Sequence, residues 1–87
     1  MKIKTNYILR TVADHYIVVP IGQEAVNFNG IITLNKSGKL LFEKLMDGAE
    51  KRELAHLLLC TYKVSEAEAL KDVDDFIKTL EDKNIFE

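Results

Sequence analysis

Tyr16-Ile17-Val18-Val19-Pro20-Ile21-Gly22, followed by Phe28-Asn29-Gly30-Ile31-Ile32-Thr33-Leu34-Asn35, is the stretch on which the fold turns. Its first part is dense in β-branched and aromatic residues, the composition of a strand. Pro20 has no N–H for a ladder and ends that strand. Gly22 then lets the chain turn away. Ile31 to Leu34 read as a further strand, and Asn35 as the N-cap of a helix. The stretch is equally defined by what it lacks. It holds no pair of catalytic side chains and no metal-ligand spacing, which points to binding rather than to chemistry.

Working outward, residues 7–12 alternate, with Tyr7, Leu9 and Thr11 on one face and Ile8, Arg10 and Val12 on the other. Ala13-Asp14 is a two-residue connection, so residues 7–12 and 15–20 form an antiparallel hairpin. Residues 23–29 read as a connecting loop. An alternative makes Asn29-Gly30 a tight turn after a short strand over 25–28, but Gln23-Glu24-Ala25 is poor strand material.

Downstream of Asn35 the period changes to that of helices. A first helix covers about 36–46, with Leu41, Phe42, Leu45 and Met46 at helical spacing and Gly48 as its stop. A second covers about 50–61, with Leu54, Leu57, Leu58 and Cys60 or Thr61 turned inward. Ser65-Glu66-Ala67-Glu68 fits the capping box that starts a third. Along it Ala69, Leu70, Val73, Phe76, Ile77 and Leu80 form an apolar stripe, and it ends near Asp82 to Asn84. Ile85-Phe86 is a short apolar tail able to fold back on the core. The order βββααα predicts an α+β fold, helices packed on one face of a three-stranded antiparallel sheet.

Length and composition set the outer bounds. Eighty-seven residues make a single domain, 1–87. A chain this short buries about 60–65% of its unfolded surface, so nearly all its apolar residues must serve the core. With 47% hydrophobic and 30% charged residues it reads as globular, not disordered. A net charge of −2 gives no electrostatic reason to expect nucleic acid. The charge is uneven: residues 63–87 carry four Lys/Arg against eight Asp/Glu, a locally acidic end. The single cysteine, Cys60, excludes an intramolecular disulfide. There is no apolar signal region and no apolar run near the ~20 residues that span a bilayer. A cytoplasmic location without membrane contact is the expectation.

The inventory of reactive groups is thin. His15 and His56 lie on different elements, each expected to be exposed, and neither has a partner at ligand spacing. Cys60, in the run Leu57-Leu58-Leu59-Cys60, reads as a small core residue. Asp72, Asp74 and Asp75 form a carboxylate cluster that reads as a solvated face or the rim of a groove, with Asp74 pointing away. No glycine-rich phosphate loop is present. No cofactor and no metal are expected. The stripe of the third helix reads first as core. Yet if that helix stands beside the third strand, it forms a cleft with one apolar wall and one open strand edge, a geometry that accepts an extended peptide.

These residues also carry a resemblance. Leu9-Arg10-x-Val12-Ala13-Asp14 with Tyr16 to Gly22 looks like the PqqD family. So does Phe28 to Asn35 leading into Ser37-Gly38 and the helix end Leu45-Met46-Asp47-Gly48. Leu54, Tyr62-x-Val64, Ala69, Asp72-Val73, Phe76 and Leu80 continue the pattern, which covers residues 7–86. The resemblance implies a winged-helix-like domain that is not an enzyme. Its expected role is to bind the leader of a ribosomally made precursor peptide by strand addition and to present it to a modifying enzyme, a radical S-adenosylmethionine protein. It leaves the product open between pyrroloquinoline quinone and another modified peptide, crosslinked or lasso. It places the peptide against Ile31, Ile32, Thr33 and Leu34 on one side and Leu70, Val73, Asp74, Ile77 and Leu80 on the other, with Phe76 toward the core. Two departures stand out. Phe42 occupies a position where the family often has Trp. Glu50 occupies that of a capping Thr, so Asp47 or loop backbone is expected to satisfy the start of the second helix.

Two other readings fit the topology less well. A winged-helix DNA-binding regulator needs a basic recognition helix, whereas the last helix here is acidic. A small enzyme needs a nucleophile with its base, or a metal, and the chain supplies neither. A monomer is expected, with a dimer through the open strand edge or by swapping as the alternative.

Overall fold

The computed structural model describes residues 1–22 and 32–87. The connecting loop, the alternative strand over 25–28 and the first residue of the expected third strand, Ile31, lie outside these. The described elements are β1 (Tyr7–Val12), β2 (His15–Pro20), β3 (Ile32–Leu34), α1 (Lys36–Asp47), α2 (Lys51–Thr61) and α3 (Glu66–Asp82). They form the α+β arrangement read from the sequence, a three-stranded antiparallel sheet followed by three helices.

The sheet order is β1-β2-β3, so β2 is central and β3 lies at an edge. Val12 pairs with His15 across the hairpin turn, and Ala13 takes a positive φ of 54° to close it. Two-residue hairpins require that left-handed backbone because it matches the strand twist. Tyr16, Ile17 and Val18 of β2 pair with Leu34, Thr33 and Ile32. Register and alternation put Tyr7, Leu9, Tyr16, Val18, Ile32 and Leu34 on the face covered by the helices.

Each helix starts where the local chemistry allows. The side chain of Asn35 accepts the Gly38 N–H at 2.8 Å, and that of Ser65 accepts the Glu68 N–H at 3.1 Å. α1 stops at Gly48, which adopts φ 98° and donates its N–H to the Leu45 carbonyl at 3.1 Å. The start of α2 corrects the sequence reading. Glu50 and Glu53 form a capping box, in which Glu53 Oε1 accepts the Glu50 N–H at 3.1 Å and the Glu50 side chain serves the first turn, so neither Asp47 nor the loop supplies the cap.

The core is one cluster in which Val18, Phe42, Leu45, Leu54, Val73, Leu80 and Ile85 have no exposed surface. Each such side chain contributes about 1.5–3 kcal/mol by leaving water. The tail folds back as expected: Ile85 is buried, and Lys4 donates its N–H to the Ile85 carbonyl at 2.9 Å. Ile3, also buried, bridges to Phe86 and bonds the Leu45 carbonyl at 3.2 Å. Two positions depart from expectation. Met46 is exposed, and so is Cys60. On a helix Cys60 lies one turn past His56 on the outer face, and the hydrophobic run Leu57-Leu58-Leu59 wraps around the helix so that only Leu58 is fully buried.

Candidate functional site

β3 bonds β2 along one edge, and along its other edge it pairs with no strand among the described residues. α3 stands beside that open edge. Between them lies a cavity of about 230 Å³ lined by Ile32, Thr33, Leu34, Asn35, Gly38, Phe76, Thr79 and Leu80. It continues into a second space of about 330 Å³, where Asn35, Ser37 and Gly38 face Asp72, Asp75, Phe76 and Thr79. A third, of about 450 Å³, follows with Asn35, Lys36 and Ser37 on one side and Leu58, Tyr62, Val64 and Asp72 on the other. Shared lining residues make the three one groove, running from β3 past the start of α1 to the end of α2.

The groove exists because the chain leaves β3 and turns at once into α1. Asn35 is the hinge of that turn. Its Oδ1 accepts both the Gly38 N–H at 2.8 Å and the Ser37 hydroxyl at 2.9 Å, which holds the wall closed on itself. Gly38 is needed for close approach: a Cβ there would sit 3.3 Å from Leu34 and from Asn35 Oδ1. On the facing wall Thr79 back-bonds to the Asp75 carbonyl at 3.0 Å. Asp72, Asp75, Phe76 and Thr79 are spaced i, i+3, i+4, i+7 and so share one face of α3.

The residues proposed for the site from sequence fall into three groups. Ile32, Thr33, Leu34 and Leu80 come together at the first cavity, with Ile32 and Leu34 inward and Thr33 exposed. Val73 and Ile77 are closed into the core, at 0% and 2% exposure. Leu70 is exposed, and Asp74 points to α2, where its Oδ1 lies 3.2 Å from Lys51 Nζ. Ile31 is outside the described residues. Phe76, expected on the core side, is half-buried and lines the groove. Asp72 and Asp75 also line it, in keeping with the rim alternative for the carboxylate cluster, as do Asn35, Gly38 and Thr79, which the sequence reading does not place at the site. The common signal on α3 is the helical spacing of Asp72 and Asp75 with Phe76 and Thr79.

A separate space of about 530 Å³ is bordered by Lys44, Arg52, Glu53, His56, Leu57 and Cys60. In it Cys60 Sγ lies 3.4 Å from His56 Nε2. A thiol beside an imidazole is the start of a nucleophile, and its diagnostic arrangement has a third group that orients the base. Among the described residues nothing bonds the other nitrogen of His56. Among them, too, no group of three or more His, Cys, Asp or Glu is arranged to hold a metal ion. Nor is any helix there long and apolar enough to cross a membrane.

Comparison with known proteins agrees with the fold. The family model described as coenzyme PQQ synthesis protein D (PqqD) matches residues 8–85. No curated protein matches the chain. Among solved structures, TbiB1 in complex with the TbiA(beta) leader peptide is similar, with a TM-score of 0.79 at 21% identity over 100% of this chain and 95% of that one. A lasso peptide synthetase B1 complexed with the leader peptide is also similar, with a TM-score of 0.75 at 17% identity over 97% of this chain and 93% of that one.

Proposed function

We propose that this chain, which belongs to the PqqD family, is a non-catalytic recognition element that takes up the leader segment of a ribosomally made precursor peptide. The observation that carries this reading is the groove, with an open strand edge on one side and a helix face on the other. Strand addition would give such a peptide backbone hydrogen bonds along β3, and the cavities would receive alternate side chains. The two similar solved structures support the reading, since each holds a leader peptide. The bound peptide would then be presented to a modifying enzyme, for which a radical S-adenosylmethionine protein is the class we favour. Residues 1–87 act as one domain, in the cytosol where such precursors are made, and as a monomer whose β3 edge, unpaired among the described residues, offers a route to dimers.

A DNA-binding role is disfavoured by charge. α3 carries seven carboxylates against two lysines, the reverse of a phosphate footprint. Catalysis by Cys60 is disfavoured because its imidazole neighbour is unsupported.

The test is to fill the groove without touching the core. Thr79 is exposed and lines two of the three cavities. Thr79→Trp should keep the circular dichroism spectrum and melting temperature of the parent, yet weaken binding of the cognate leader at least about tenfold, a change of ~1.4 kcal/mol. A leader with single N-methyl amides should lose affinity at alternate positions, the mark of an added strand. Unchanged affinity in Thr79→Trp, with no sensitive amide, would overturn the proposal.

A further inference from the structure

We infer that the groove selects for charge: its middle section takes a lysine or arginine side chain two residues along the bound peptide from an aliphatic one. This rests on the reading of the groove as a peptide site. The two ends of the groove are apolar, Ile32, Leu34, Phe76 and Leu80 at one and Leu58, Tyr62 and Val64 at the other. The middle is not. There Asp72 and Asp75 face Asn35 and Ser37. The Ser37 hydroxyl and the Asn35 Oδ1 are already spent on each other and on the Gly38 N–H. The Thr79 hydroxyl is spent on the Asp75 carbonyl.

What remains open toward the groove is a pair of carboxylates, beside the Asn35 side-chain NH2. Asp74, on the other side of α3, is paired with Lys51, and Glu43 with Lys39. Among the described residues neither Asp72 nor Asp75 has an ion-pair partner. Lys36 is the one cation bordering the groove among its described lining residues; it lies at the third cavity, which Asp72 also lines, while Asp75 lines the middle cavity alone. The middle section therefore carries two negative charges and no positive one.

Spacing sets the register. Residues two apart on a strand lie about 6.6–7 Å from each other on one face. Thr79 and Asp72 are seven residues apart on the helix, about 10 Å along its axis. Asp75 is four residues from Thr79, about 6 Å along the axis, so an aliphatic side chain in the first cavity places the next inward one opposite Asp75, with Asp72 within reach of a long side chain. Lysine and arginine suit that place doubly, because their methylene stems can lie on Phe76 and Leu41 while the charge reaches the carboxylates. Aspartate or glutamate there would be repelled.

The experiment uses a display library of random 12-residue peptides, selected against the full chain and against its Asp72→Asn/Asp75→Asn form. The parent should enrich peptides with Lys or Arg two positions from an aliphatic residue, and the double variant should keep the aliphatic preference alone. A selected cationic peptide should bind the double variant about three- to tenfold more weakly, as expected for exposed pairs. About 1 M salt should remove most of that difference. Aliphatic enrichment without the cation, or the same cation enrichment in both forms, overturns charge selection and leaves the groove reading standing. Selected peptides that bind Thr79→Trp as tightly as the parent, or a library that yields no binder, overturn the groove reading and this inference with it.

Discussion

Replacing Val73 by alanine separates packing from binding on α3. Val73 has no exposed surface, so the change removes two methylene equivalents from a closed core. At about 0.8 kcal/mol each that loses ~1.6 kcal/mol of transfer free energy. The void left between α3 and its neighbours relaxes only in part and adds about 1 kcal/mol. The sum is about 2–3 kcal/mol. A chain of 87 residues has a total stability of about 4–13 kcal/mol, so the variant remains folded but visibly weakened. Urea unfolding followed by far-UV circular dichroism should show an unchanged slope and a lower midpoint, and the melting temperature should fall by about 10–20 °C. Peptide affinity of the folded variant should stay within about twofold of the parent, since the site is not touched. Val73→Glu is a poor probe of the groove for the same reason: a buried carboxylate costs several kcal/mol more and approaches the whole stability of the fold. If Val73→Ala lost less than about 0.5 kcal/mol of stability while peptide affinity fell about tenfold, Val73 would belong to the groove wall and the packing argument would be refuted.

Ala13→Gly should stabilise the fold by about 0.5–1 kcal/mol, because a left-handed backbone costs a residue with a Cβ about 1–2 kcal/mol and glycine's extra chain entropy cancels only part of the relief. Thermal melts check this, and a lower melting temperature would show that the Ala13 methyl is held by contacts worth more than the strain. Cys60 should react with a thiol reagent in native buffer nearly as fast as in denaturant, as its exposed position requires. Strong protection in native buffer would return it to the core.

The fold was legible because local signals and burial agree. Residues 7–12 and 15–20 were bounded by a two-residue turn and by Pro20, and both strands match those bounds. Asn35, Gly48 and Ser65 marked helix ends by hydrogen-bonding chemistry that depends on few neighbours. The failures lie where an apolar run is longer than the face it serves. Leu57-Leu58-Leu59-Cys60 offers four residues to a helix that buries only Leu58 there, and no periodicity within the run tells which. Glu50 stands where a capping Thr is expected, and it caps together with Glu53, whose carboxylate reaches back one turn, a pairing that the single position does not reveal.

The groove was half legible for a related reason. Hydrophobic periodicity identifies the face of a helix that is taken out of water in the folded chain, and on α3 that face is Ala69, Val73, Ile77 and Leu80. A face reserved for a partner must stay wet until the partner arrives, so it cannot be a continuous apolar stripe without inviting aggregation. On α3 it is instead Asp72, Asp75, Phe76 and Thr79, a mixture in which sequence patterning reads the carboxylates as a solvated face or a groove's rim and Phe76 as core. Phe76 sits at the boundary of the two faces and is half-buried. β3 is simpler, because a strand at a sheet edge offers backbone and not side chains, and Ile32 to Leu34 could be named without knowing what faced them. The wall of a groove opposite such an edge is therefore found by asking which side of the helix flanks the stripe, rather than which side is the stripe.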